Sequence, residues 1–164
     1  MKNIIKYYIL RITLAAVCSL LVIIDVHAEG QITVPEDVRK ISEELGQAYN
    51  ICPELIQAIC WRESRFQSDA ENGGCVGIMQ VAPKWHKDRM DRLGVTDLMD
   101  TRQNMMVAVD YLSELVKDEE DMEEVLMRYH GESQINERLE AGELSAYVEG
   151  ILALSAELER QNGK

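Results

Sequence analysis

Helix start and stop signals follow one another along nearly all of the chain from residue 35 onward. No stretch alternates apolar and polar residues as a half-buried strand does. Pro35 stands at a first-turn position with Glu36 and Asp37 behind it. Val38, Ile41, Leu45 and Ala48 then recur at helical spacing to a stop near Tyr49-Asn50. A second helix begins at Pro53-Glu54 and carries Ile56, Ile59 and Cys60. Residues 67–77 read as loop, with Asn72-Gly73-Gly74 as its turn signal. Further helices are expected from Pro83 to Leu93, ending at Gly94; from Thr101 to Val116; from Asp121 to Tyr129, ending at Gly131; and from about Glu143 to Arg160. The pattern predicts one all-α domain of five to seven helices, with room for a small β-hairpin in the 67–80 loop.

The segment before that domain has a different character. Lys2, Lys6 and Arg11 precede an apolar run from Ile12 to Ile24, and Val26-His27-Ala28 follows. This is the charged, apolar and small-residue order of a secretory signal peptide, with cleavage expected after Ala28. Residues 1–28 are therefore assigned to the signal and 29–164 to the domain. An uncleaved membrane anchor is the alternative, although the run is short for a full span.

The chain has 17 Lys and Arg against 29 Asp and Glu, and a net charge of −12. Residues 1–28 hold three of the basic residues and one acidic one, Asp25, so the remainder is more acidic still. Such a surface does not suit nucleic acid, which rewards basic patches. A polymeric substrate must be held by hydrogen bonds and stacking instead. The acidic run at 118–124, DEEDMEE, lacks the alternating ligands of a calcium loop and reads as a solvated turn placing acids at a helix N-terminus. No paired-cysteine metal spacing occurs, and no metal or cofactor is expected. Cys52, Cys60 and Cys75 lie in the domain. A Cys60–Cys75 bridge, stapling the second helix to the loop after it, and three free thiols are both compatible with the spacing.

Glu63 is the residue hardest to explain by stability alone. Ile56, Ile59, Cys60 and Glu63 stand at i, i+3, i+4 and i+7, so the carboxyl shares the apolar face of its helix. Shielding disfavours its charged form and raises its pKa, which a general acid working near neutral pH requires. A structural glutamate bonded to an amide or an arginine has the same sequence pattern. Gly77-Ile78-Met79-Gln80 beyond the loop offers close backbone approach, a soft apolar wall and an amide, which suits an N-acetylated sugar.

These stretches, Glu63-Ser64 and then Gly77-Ile78-Met79-Gln80, resemble the ES … GLMQ signature of the soluble lytic transglycosylase catalytic domain. Gln103-Asn104 with Ala108 and Tyr111-Leu112, Arg128-Tyr129-His130-Gly131, and Tyr147-Val148 resemble that family's later motifs, in order, over roughly residues 35–152. The resemblance implies an all-α, lysozyme-like fold related to goose-type lysozyme. It implies Glu63 as the single catalytic acid/base, Ser64 near the scissile sugar, and Met79 and Gln80 lining the subsite. It also implies Tyr129 across the cleft, close enough to orient Glu63. His130 stands where the family usually has Asn and is a substrate-binding candidate whose charge can alter the pH profile.

The implied reaction cleaves the β-1,4 bond between MurNAc and GlcNAc of peptidoglycan, closing the MurNAc 6-hydroxyl on C1. Asp69 and Glu71, the nearest acids in sequence, have nothing marking them as nucleophiles. Two alternatives stand beside this lyase: a hydrolytic muramidase, and a non-catalytic wall-binding or assembly module. A monomer acting on glycan strands is expected, in ordinary wall turnover or beside a secretion or conjugation apparatus.

Overall fold

The computed structural model describes residues 32–119 and 121–164; the signal-peptide assignment lies outside them. Val34–Lys164 fold as one compact unit. Its elements are α1 (Glu36–Tyr49), α2 (Pro53–Ser64), the two-residue strands β1 (Glu71–Asn72) and β2 (Cys75–Val76), α3 (Pro83–Leu93), α4 (Thr101–Asp118), α5 (Met122–His130), α6 (Ile135–Glu140) and α7 (Ala146–Gln161).

The helix α2 is the axis of the fold. Leu55, Ile56, Ala58, Ile59 and Cys60 are buried, and so are the polar Glu54, Gln57 and Ser64. A helix buried almost all round must be surrounded, and α1 and α7 pack along it. Complete burial of Ile56 and Ile59 is worth about 1.5–3 kcal/mol each. Gln57 is satisfied by donating to Ser42 Oγ at 2.8 Å. Glu54 accepts from Asn162 and Lys164, each at 2.8 Å, which ties the end of α7 to the start of α2. Through α1, Val38, Ile41 and Leu45 face the core as expected, but Ala48 is exposed.

The starts expected from proline hold. Pro35 caps α1, and Pro53 and Pro83 open α2 and α3. The stops at Gly94 and Gly131 are left-handed, with φ of 68° and 76°. Two details differ at the C-terminal end. α6 is a further short helix, which follows Gln134 in the left-handed conformation. α7 starts at Ala146 rather than near Glu143, because Ser145 accepts from the Val148 N–H and supplies the cap. The acidic run is partly spent on Arg128, which pairs with Glu119 at 2.8 Å and Glu124 at 2.6 Å.

The loop at 67–80 forms the small hairpin, with Glu71 opposite Val76 and Asn72 opposite Cys75. The segment from Val76 to Met79 is pinned by side chains from three helices. Ser64 of α2 donates to Ile78 O at 2.8 Å, and Tyr129 of α5 donates to Met79 O at 3.0 Å. Asn104 of α4, fully buried, accepts from the Met79 N–H at 2.9 Å and donates to Val76 O and Leu98 O. Gly77 sits against that amide at φ 80°. A Cβ there would lie 2.1 Å from Asn104 Nδ2, so only glycine lets the loop approach.

Candidate active site

Glu63 occupies the last turn of α2, which stops after Ser64 because Arg65 and Phe66 turn left-handed at φ 56° and 66°. Gln80 at the other end of the hairpin loop is also left-handed, at φ 49°. Non-glycine residues in this region cost of order 1 kcal/mol each and persist only where packing over-determines them. Both ends of the loop beside Glu63 are held this way.

Glu63 Oε1 accepts a hydrogen bond from the Tyr147 hydroxyl at 2.5 Å. Burial pushes the Glu63 carboxyl above its ordinary value. The Tyr147 donor and the nearby His130 and Arg62 pull it the other way without cancelling the rise. Tyr147 is 5% exposed, and its own hydroxyl is pushed well up by burial and by Glu63, so it remains a donor.

Behind Tyr147 stands a second layer. The His130 ring stacks on the Tyr147 ring with centroids 3.8 Å apart and planes 2° from parallel. His130 Nδ1 lies 3.2 Å from Glu132 Oε1. The same Glu132 accepts from Ser145 Oγ at 2.6 Å and is paired with Arg138. Burial alone would raise Glu132, but hydrogen bonds from Ser145, His130 and Arg138 hold it below the usual carboxylate value. Ser145 is the cap of α7, so one carboxylate fixes both the His130 ring and the start of the helix that carries Tyr147.

Glu63 opens onto a cleft of about 650 Å³. Gln80, Val81 and Cys75 line it from the hairpin, Trp85, His86 and Arg89 from α3, Tyr111 and Glu114 from α4, and Tyr129 and His130 from α5. Aromatic rings run along it: His86 is 4.7 Å from Tyr111, and Tyr111 is 5.9 Å from Tyr129. Burial and the neighbouring Arg89 push the His86 imidazole down. Among the described residues, the other carboxylate lining the cleft is Glu114, which Arg89 engages at 2.7 Å. Asp69, in the loop before the hairpin, and Glu71, in β1, are both exposed.

The residues singled out in the sequence divide into two sets. Glu63, Gln80, Tyr129 and His130 line the cleft. Ser64 and Met79 are buried and do not line it. Ser64 bonds Cys60 O and Ile78 O, and Met79 is a core side chain at 0% exposure. Tyr129 does not reach Glu63 with its hydroxyl, which is spent on Met79 O; Tyr147 holds that place. Gln80 gives its amide nitrogen to Ala70 O at 3.1 Å and Gly77 O at 2.9 Å, leaving its carbonyl as the acceptor it can offer. Cys60 and Cys75 form no bridge. Cys60 is buried in the core with its thiol pushed up by burial, Cys75 faces the cleft, and Cys52 bonds Glu54. Among the described residues no group of three or more His, Cys, Asp or Glu could hold a metal ion.

The helical domain thus holds a shielded carboxyl over an aromatic-lined cleft. The profile of the family described as Transglycosylase SLT domain matches residues 40–148, about two thirds of the chain. The chain belongs to that family, which is typically one of lytic transglycosylases acting on peptidoglycan. The matched span runs from the middle of α1 to Tyr147-Val148 and so contains every cleft residue named above.

Proposed function

We propose that the protein is a peptidoglycan lytic transglycosylase in which Glu63 alone serves as acid and then base. The observation that carries this reading is the Glu63 carboxyl, raised by burial yet held by the Tyr147 hydroxyl at 2.5 Å, at the edge of the cleft. Protonated Glu63 donates to the oxygen linking MurNAc to GlcNAc, and the GlcNAc side leaves with a new hydroxyl. The 2-acetamido group of MurNAc stabilises the positive charge that develops at C1. Glu63, now a carboxylate, takes the proton of the MurNAc 6-hydroxyl as that oxygen bonds C1. The product is a 1,6-anhydro end, Glu63 is protonated again, and no water is consumed.

A second carboxylate would be needed to form a covalent intermediate or to activate water. The other cleft carboxylate, Glu114, is tied to Arg89, which supports the one-acid route. Tyr147 orients Glu63, and the Gln80 carbonyl accepts from an N-acetyl N–H. Ser64, Met79 and Tyr129 act by holding the loop. The basic and apolar segment at 2–24 supports export, and thus a place in the cell envelope or outside it.

Mass spectrometry of the fragments released from purified peptidoglycan tests the proposal, with Glu63→Gln in parallel. Anhydro-MurNAc ends, one water lighter than reducing ends and absent with the variant, are the expected outcome. Reducing ends would make water the nucleophile and the protein a muramidase. Wall binding without products would make it a non-catalytic module.

A further inference from the structure

Trp85 is, among the described residues, the large apolar side chain left most open to solvent, at 76% exposed. An exposed indole contributes nothing to the core, and tryptophan is enriched at interfaces, where one part of the ring is covered and the rest stays wet. Trp85 lines the same cleft as Glu63. The row of rings there gives its position. Tyr129 lies near Glu63, Tyr111 is next, and His86 follows, directly after Trp85 in the chain.

The backbone sets this residue apart. α3 is broken at His86, whose φ of −115° and ψ of 18° are not helical, so the first turn carrying Trp85 leaves the axis of the rest. That region of backbone space is sparsely populated and is often found at functional sites. Pro83 fixes the start of the turn, the Trp85 N–H bonds Ala82 O at 3.0 Å, and Lys84 Nζ lies 4.8 Å from the indole centroid. The indole is therefore positioned on one side while most of its surface stays open. Val81, Ala82 and His86 line the same cleft.

We infer that Trp85 is the stacking platform of an outer sugar subsite, which holds a saccharide unit of the glycan strand away from the bond that is cut. The apolar face of a pyranose ring matches an exposed indole, and stacking needs no charge complementarity. That suits a protein with a net charge of −12. The inference rests on the transglycosylase reading, and it makes the enzyme sensitive to strand length: strands long enough to reach Trp85 bind more tightly.

The test uses the full chain carrying Glu63→Gln, so that nothing turns over, and Trp61→Phe, so that Trp85 is the remaining tryptophan. GlcNAc oligomers of increasing length are titrated while indole emission is followed. The same titration by calorimetry compares Trp85 with Trp85→Ala, both checked by thermal melting. The expected result is an emission change that appears only once the oligomer is long enough. The Trp85→Ala penalty should grow with length to about three- to tenfold in Kd. Equal affinity of the two proteins for long oligomers, or a penalty independent of length, would overturn the subsite. If neither protein binds any oligomer while the parent chain still releases anhydro ends from peptidoglycan, the subsite alone fails. If those ends are missing as well, the transglycosylase reading fails and takes the subsite with it.

Discussion

Replacing Tyr147 with phenylalanine removes one hydroxyl and keeps the ring that His130 stacks on, so it isolates the hydrogen bond to Glu63. Two opposed effects set the Glu63 carboxyl: burial raises it, and the Tyr147 donor, which favours the charged form, is the first to lower it. Removing the donor must therefore raise it further. A hydrogen bond to a charged group is worth about 1.5–3 kcal/mol, and one pH unit corresponds to about 1.4 kcal/mol, so the rise is about one to two pH units. Glu63 must be protonated to donate, so the alkaline limb of the kcat profile reports its titration in the complex. Initial rates of fragment release from peptidoglycan, measured across pH for the parent and Tyr147→Phe, should show that limb displaced upward by this amount. The rate at the optimum should fall at least tenfold, because the acid loses the group that orients it. An alkaline limb at the same pH in both proteins would refute the argument, since it would mean that the hydroxyl does not favour the Glu63 carboxylate in the working enzyme.

Glu63→Gln should melt a few degrees higher than the parent at pH 7. The folded protein raises this carboxyl, so it costs stability above its unfolded value of 4.5, and the amide removes that cost; a lower melting temperature at pH 7 would count against the burial effect. Ser64→Ala should lose about 1 kcal/mol in urea unfolding with kcat/KM nearly intact, as a residue that straps Ile78 O and does not line the cleft; a large rate loss at full stability would return Ser64 to the substrate. Asn104→Ala removes three loop contacts and should cost about 2–4 kcal/mol, with activity falling as the Gly77–Gln80 loop loosens. Alkylation followed by mass spectrometry should label Cys75 in the folded protein and Cys60 only after denaturation; protection of both thiols until reduction would establish the bridge that the structure lacks.

The helices were legible because each signal acts over a few residues. A proline at a first turn, a glycine in the left-handed region and an apolar stripe at helical spacing constrain only their own neighbourhood, and α1 to α5 begin and end close to where those signals stand. The shielding of Glu63 was legible for the same reason, since its face is set by the pitch of α2. The 6-residue α6 was missed because so short a helix carries too little periodicity to be seen.

The roles within the site were decided only by packing. Ser64, Asn104 and Tyr129 are visible in the sequence as motif residues, yet nothing in their spacing says that all three converge on the backbone between Val76 and Met79. Tyr129 and Tyr147 are equally good hydroxyl donors, and which one meets Glu63 depends on how α5 and α7 lie against α2. Trp85 offers no pattern at all in the sequence, since a single aromatic in a charged helix becomes a surface feature only once the cleft exists beside it. Local chemistry determined the helices and the shielded acid; contacts between residues far apart in the chain, which no local rule encodes, decided what each side chain touches.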